Sequence, residues 1–250
     1  SQTRAIFLNN PNNPAGILYP EEFIAKLVDF CENQGIYLIM DDIYHQLLDP
    51  AATWVPGYVF SSKDFNQTKI IVVNGISKSF GMTGFRIGWM IAPEELILAV
   101  KKIQGHSTSG VSVLLQAGAV GALSARQHVM PHLSQQITSS REMFISQLES
   151  LSALNLAPPG GTFYCFPDFS AYHPDSDELA SLILEKAYVV TVPGINFGME
   201  GHLRLSYAGP PERIKEGIER IRWVVDPEAP KEIVIQGKTH LCDWKRILKK

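Results

Sequence analysis

Two cations stand in an otherwise small and apolar run, GISKSFGMTGFRIGW, at residues 75–89. Lys78 lies between Ser77 and Ser79, and Arg86 lies between Phe85 and Ile87. Charged side chains seldom occupy such surroundings unless a partner neutralises them. A lysine amine that loses hydration of its charged form becomes neutral more easily. It is then a nucleophile able to form a Schiff base with a carbonyl group. Arginine keeps its charge and presents a fork of donors suited to phosphate. Ser77 adds a hydroxyl, and the neighbouring glycines allow close approach of backbone to ligand. A single ligand carrying an aldehyde and a phosphate would answer both cations.

Two further stretches fit such a ligand. MDDIYHQL (40–47) ends an apolar run on two acids, and an unpartnered carboxylate there is costly. Asp41 therefore calls for a cation or hydrogen-bond donors, and Tyr44 would share its cleft if a turn begins at this point. A capping aspartate beside a packing tyrosine would be written with the same letters. NNPNNPAG (9–16) follows a short apolar run, at the place where α/β proteins bind ligands beyond strand ends. Asn10, Asn12 and Asn13 offer amides there, although the two prolines also suit an ordinary rigid turn. Pyridoxal phosphate has the aldehyde, the phosphate and a ring nitrogen that wants a buried carboxylate, which Asp41 could supply.

The elements that must position these residues are legible from periodicity. RAIFLN (4–9), IYLIM (36–40), KIIVV (69–73) and FRIGWMIA (85–92) read as buried strands. Pro20, Glu21 and Glu22 open a helix whose apolar face carries Phe23, Ile24, Leu27, Val28 and Cys31, and Gly35 stops it. Continuous apolar strands separated by helices imply an α/β fold with a mixed, mostly parallel sheet sandwiched by helices. Residues 93 to about 150 read as helical, with a break around GHSTSG (105–110). Beyond them, strands at 163–168, 189–193 and 203–208 and helices at 175–187 and 210–225 suggest a C-terminal α+β small domain. The expected division is 1–145, 146–225 and a weakly patterned, Lys-rich tail at 226–250, partly ordered at best.

Composition narrows the function classes. The 250 residues are 45% hydrophobic and 19% charged, enough for a sizeable core. The net charge of −3 comes without a basic block, which argues against nucleic acid and anionic membranes as partners. No apolar run reaches the ~20 residues of a membrane span, and no signal peptide is visible. Cys31, Cys165 and Cys242 lack CxxC spacing and fit a reducing, cytoplasmic setting. His128 and His132 have a helical metal spacing, but Pro131 lies between them and no glutamate follows the first, so no metal is expected.

NNPNNPAG, DDIYHQL and SKSFGMTGFRIGW, in this order, with GHLRLSYA at 201–208, resemble the pyridoxal-phosphate aminotransferases of fold type I, class I/II. The aspartate or aspartate/prephenate type is most similar, and QGHSTSG (104–110) resembles that group too. The resemblance implies transamination between an L-amino acid and a 2-oxo acid by a ping-pong Schiff-base route. It implies that Lys78 holds the cofactor and shuttles a proton, and that Asp41 pairs with the ring nitrogen. Asn13 and Tyr44 would bond the phenolic oxygen, Ser77 and Arg86 would hold the phosphate, and Arg204, with Asn13, would take the substrate carboxylate. It further implies a homodimer. Some relatives carry a phosphate-binding serine three residues before the lysine, where this sequence has Gly75, and NPAG replaces the commoner NPTG. Relatives also have about a third more chain before the asparagine motif, so this chain alone is expected to bind cofactor weakly. A β- or γ-eliminating lyase and an aminotransferase-like sensor domain of a transcription regulator are the alternative functions on this scaffold.

Overall fold

A computed structural model describes residues 2–248. The chain divides into two compact units: residues 1–13, 17–135 and 160–162 form the first, and residues 14–16, 136–159 and 163–250 the second.

The first unit is built on a four-stranded sheet in chain order: β1 (Ala5–Asn9), β2 (Tyr37–Asp41), β3 (Ile70–Gly75) and β4 (Gly88–Ile91). β1, β2 and β3 are parallel, and β4 runs antiparallel to β3, which gives the mixed, mostly parallel sheet expected. Helix α1 (Glu21–Gln34) connects β1 to β2. Its Ile24, Val28 and Cys31 are buried against Leu38, Met40, Ile70 and Val72. Gly35 ends it in the left-handed region at φ 67°, its N–H closing on the Cys31 and Glu32 carbonyls. The buried Glu32 carboxylate accepts from Ser61 Oγ at 2.6 Å and Thr68 Oγ1 at 2.8 Å, tying the loop before β3 to this helix.

The fourth strand is shorter than the sequence pattern suggests. Residues 83–85 form a single 3₁₀ turn, Arg86 takes a left-handed φ of 53°, and pairing starts only at Gly88. The helical stretch is interrupted where GHSTSG suggests: α2 covers Glu94–Ser107, α3 Val113–Ser124 and α4 Arg126–Leu148. α4 runs on through Pro131 and crosses from the first unit into the second.

In the second unit, β5 (Tyr164–Cys165), β6 (Val192–Pro193) and β7 (Leu203–Ser206) form a small antiparallel sheet in the order β5-β7-β6. Strands β5 and β6 are trimmed from their apolar runs to two residues each. Helices α5 (Ser176–Ala187) and α6 (Pro211–Val225) complete its core. Leu179, Ile183, Ile218 and Ile221 are buried there with Phe169 and Tyr207. The expectation of a weakly ordered tail fails for its described part. Residues Glu232–Ile235 and Lys238–Leu241 pair as a hairpin, β8 and β9, with Ile235 buried. Trp244 meets Trp223 edge-on at 4.8 Å and donates to the Val224 carbonyl at 3.0 Å. One aromatic anchor thus holds a segment whose lysine content reads as solvated chain. Lys249 and Lys250 lie outside the described residues.

Candidate active site

The carboxyl ends of β1, β2 and β3 carry the candidate residues of the first unit. Asp41 closes β2, and its carboxylate accepts from Ile43 N–H at 3.2 Å, which turns the chain immediately after the strand. That turn buries Tyr44 to 3% exposure. Lys78 follows β3 in another turn, where Phe80 N–H and Gly81 N–H close on the Ile76 and Lys78 carbonyls. Its Nζ stands 6.0 Å from the centre of the Tyr44 ring. Lys78 therefore meets the turn of Asp41 and Tyr44, although the two turns follow different strands, β3 and β2.

Asn13 joins this group through the first loop. Asn13 N–H donates to Asn9 Oδ1 at 2.7 Å, and Asn9 Nδ2 donates to the Asp41 carbonyl at 3.0 Å. Asn10 is buried, and its Oδ1 accepts from Tyr19 N–H. The motif is thus a turn braced by its own amides, with Asn13 half-buried at the strand ends. Ser77 and Lys78 are also half-buried, so the lysine is less enclosed than an apolar run implies. Arg86 is exposed, its Nη1 donating to the Thr83 carbonyl at 3.1 Å. Arg204 belongs to the second unit, on β7, with its guanidinium 4.4 Å from the Tyr164 ring centre and 5.2 Å from that of Phe197.

Electrostatics separates the paired acids. Burial raises the Asp41 carboxyl, and the Ile43 N–H and the Lys78 charge offset this only in part. Asp42 is 1% exposed, with no partner for Oδ1 among the described residues. Burial, and then the charge of Asp41, pushes it up to about 7.

Sequence reading overlooked Asp42, His45, Trp54 and Asn74. His45 Nδ1 lies 2.8 Å from the Asp42 carbonyl and 3.0 Å from Asn74 Nδ2. Trp54 Nε1 donates to the Asn10 carbonyl at 3.1 Å, linking the first loop to the segment after Tyr44. The doubled acid at 41–42 was the available signal for Asp42. No local pattern marks the other three.

Gly75 has a steric reason to lack a side chain. It pairs with Gly88 across β3 and β4, and a Cβ on it would stand 2.7 Å from the Ile87 carbonyl oxygen.

Comparison with known proteins gives the family and the fold. The family described as aminotransferase class I and II matches residues 1–221. A probable aspartate/prephenate aminotransferase of Aquifex aeolicus is 38% identical over 230 residues, covering 90% of this chain and 58% of that protein. An aspartate/prephenate aminotransferase of Thermus thermophilus is 34% identical, covering 90% and 57%. A solved aspartate aminotransferase from Thermus thermophilus, a double mutant, superposes with a TM-score of 0.82 at 33% identity, covering 90% of this chain and 57% of that one. One from Thermotoga maritima gives 0.78 at 32%, covering 88% and 56%. The chain therefore spans less than two thirds of the length of these relatives. Aspartate aminotransferases have fold type I and use pyridoxal phosphate. The motifs around Asn13, Asp41, Lys78 and Arg204 lie within the matched residues, and the chain belongs to the class I and II aminotransferase family.

Proposed function

We propose that the complete protein is a pyridoxal-phosphate-dependent aminotransferase of the aspartate/glutamate type, transferring an amino group from an L-amino acid to a 2-oxo acid. The observation that carries this reading is the convergence of Asp41, Tyr44 and Lys78 at the strand ends. The cofactor fits on a physical ground. The Asp41 carboxyl carries a burial penalty that its neighbours only partly offset, and a protonated ring nitrogen would offset the rest.

When bound, the cofactor supplies an aldehyde for the amino group and a ring that takes up the electron pair left at the substrate α-carbon. Lys78 offers the amine that holds the aldehyde and, once released, the base that moves the α-proton. Asp41 keeps the ring nitrogen protonated. Tyr44 and Asn13 donate toward the phenolic oxygen, while Ser77 and Arg86 hold the phosphate. Arg204 takes the substrate carboxylate, because its planar fork matches two carboxylate oxygens. We assign the working form to a cytoplasmic homodimer, following the family resemblance.

Borohydride reduction of the complete protein with pyridoxal phosphate, followed by peptide mapping, is expected to find the cofactor on Lys78. Absence of a modified lysine overturns the reading. Oxo-acid-dependent turnover supports transamination, whereas release of pyruvate or ammonia without an oxo acid assigns the scaffold to elimination instead.

A further inference from the structure

A cavity of about 600 Å³ opens beside the turn that follows β2. Its size is within the range of small-molecule sites. His45, Gln46 and Trp54 line it from the segment after Tyr44, and Arg126, Met130 and Pro131 from the first turns of α4. All of these belong to the first unit. No acidic side chain is among the lining residues, so the cavity carries the positive charge of Arg126 without compensation.

The polar groups are already arranged around that charge. Arg126 Nε donates to Gln46 Oε1 at 3.3 Å, and no carboxylate among the described residues pairs with the guanidinium. Both Nη groups are therefore available to an incoming anion. Gln46 Nε2 lies 3.1 Å from His45 Nε2, and His45 Nδ1 lies 2.8 Å from the Asp42 carbonyl. One tautomer satisfies this chain: Nδ1 donates to Asp42, and Nε2 accepts from Gln46. In that tautomer the Asn74 amide nitrogen is a neighbour of Nδ1 and not its donor. The imidazole is then neutral, and burial and the nearby Arg126 charge favour that form.

The apolar part of the lining is flat and held in place. Trp54 is tied to the Asn10 carbonyl and leans on His45 with ring centres 5.0 Å apart. Met130 and Pro131 add an adaptable thioether and a rigid ring. An uncompensated guanidinium beside a fixed indole recognises a carboxylate on a planar apolar body.

We propose that this cavity is a second ligand site, which binds a small aromatic carboxylic acid with its carboxylate on Arg126 and its ring against Trp54 and Met130. Its anchor, Arg126, is a different guanidinium from Arg204, which is assigned to the substrate carboxylate and does not line this cavity. Through Gln46 and His45 its occupancy is relayed to the Asp42 carbonyl, inside the turn that carries Asp41 and Tyr44.

Phenylacetate is a suitable probe, titrated into the 250-residue chain by calorimetry and by ¹H–¹⁵N spectra, with the Trp54 indole signal assigned through Trp54→Phe. Saturable binding that shifts this signal is expected. Arg126→Gln is expected to weaken it at least tenfold, Arg126→Lys less, and Arg204→Gln not at all. Neutral phenylacetamide is expected to bind at least tenfold more weakly than phenylacetate. Arg126 is exposed, and an unchanged melting temperature of Arg126→Gln verifies that the fold persists. Absence of saturation, equal binding of the amide, or loss through Arg204→Gln in place of Arg126→Gln overturns the proposal. None of these outcomes depends on whether borohydride fixes a cofactor to Lys78.

Discussion

Gly75 and Gly88 face each other across the antiparallel β3–β4 pair, and neither has room for a side chain. A Cβ on Gly75 would lie 2.7 Å from the Ile87 carbonyl oxygen and 3.1 Å from Gly88 Cα. One on Gly88 would lie 2.9 Å from the Asn74 carbonyl oxygen. The obstacles are backbone atoms, which cannot swing aside as a flexible side chain does. Gly75→Ala should therefore cost about 1 to 3 kcal/mol, the usual scale of overpacking. Urea denaturation compared with the unsubstituted chain measures this. Because Gly75 stands three residues before Lys78, the strain falls on the turn that presents the amine.

Asp42 sets a pH dependence of stability. Its folded-state value of about 7 exceeds the ordinary value of 3.8. The folded chain therefore holds a proton that the unfolded chain has already released. Stability should fall as pH rises from about 4 to about 7 and then level off, with a total on the order of 4 kcal/mol as an upper figure. Asp42→Asn removes the ionisation and should flatten that slope, gaining at pH 8 relative to pH 5. Denaturation midpoints at the two pH values test the sign.

Asp175 caps α5. Its Oδ1 accepts from Asp177 N–H at 3.0 Å and Glu178 N–H at 2.9 Å, satisfying two donors that the first helical turn leaves open. Asp175→Ala should destabilise the second unit by about 0.5 to 2 kcal/mol. Asp175→Ser should restore most of the loss, which thermal unfolding of the pair would show.

Arg204 is held flat by aromatic neighbours, Tyr164 on one contact and Phe197 on another. Under the proposed function, Arg204→Gln in the complete protein should weaken binding of a 2-oxo acid by about 2 to 5 kcal/mol. Arg204→Lys should recover little of it, since an ammonium offers neither the planar fork nor the stacked face. Equilibrium titration with the oxo acid gives the comparison.

Much of the first unit was legible because each strand is a continuous apolar run ended by Gly, Pro or paired polar residues. α1 shows how far this reaches: its Pro20 start, its Ile24–Val28–Cys31 face and its Gly35 stop are all local features. The short strands were less legible. Val189 to Thr191 have strand composition, yet only Val192 and Pro193 pair, because pairing partners come from distant sequence. The tail misled for the same reason: its scattered lysines read as solvated chain, while Trp244 and Ile235 anchor its packing.

By itself, the sequence determined which side chains can do the chemistry. An amine, a carboxylate, a phenol and two guanidiniums in recognisable motifs are covalent facts, and local turns place Tyr44 and Lys78 just beyond the ends of β2 and β3. Only the tertiary structure decided their environments. It buried Asp42 without a partner for Oδ1 among the described residues, left Arg86 exposed and Lys78 half-buried, and drew His45, Trp54 and Arg126 around a cavity. Burial and proximity depend on how distant segments pack, and charge, hydrogen bonding and proton affinity follow from that packing.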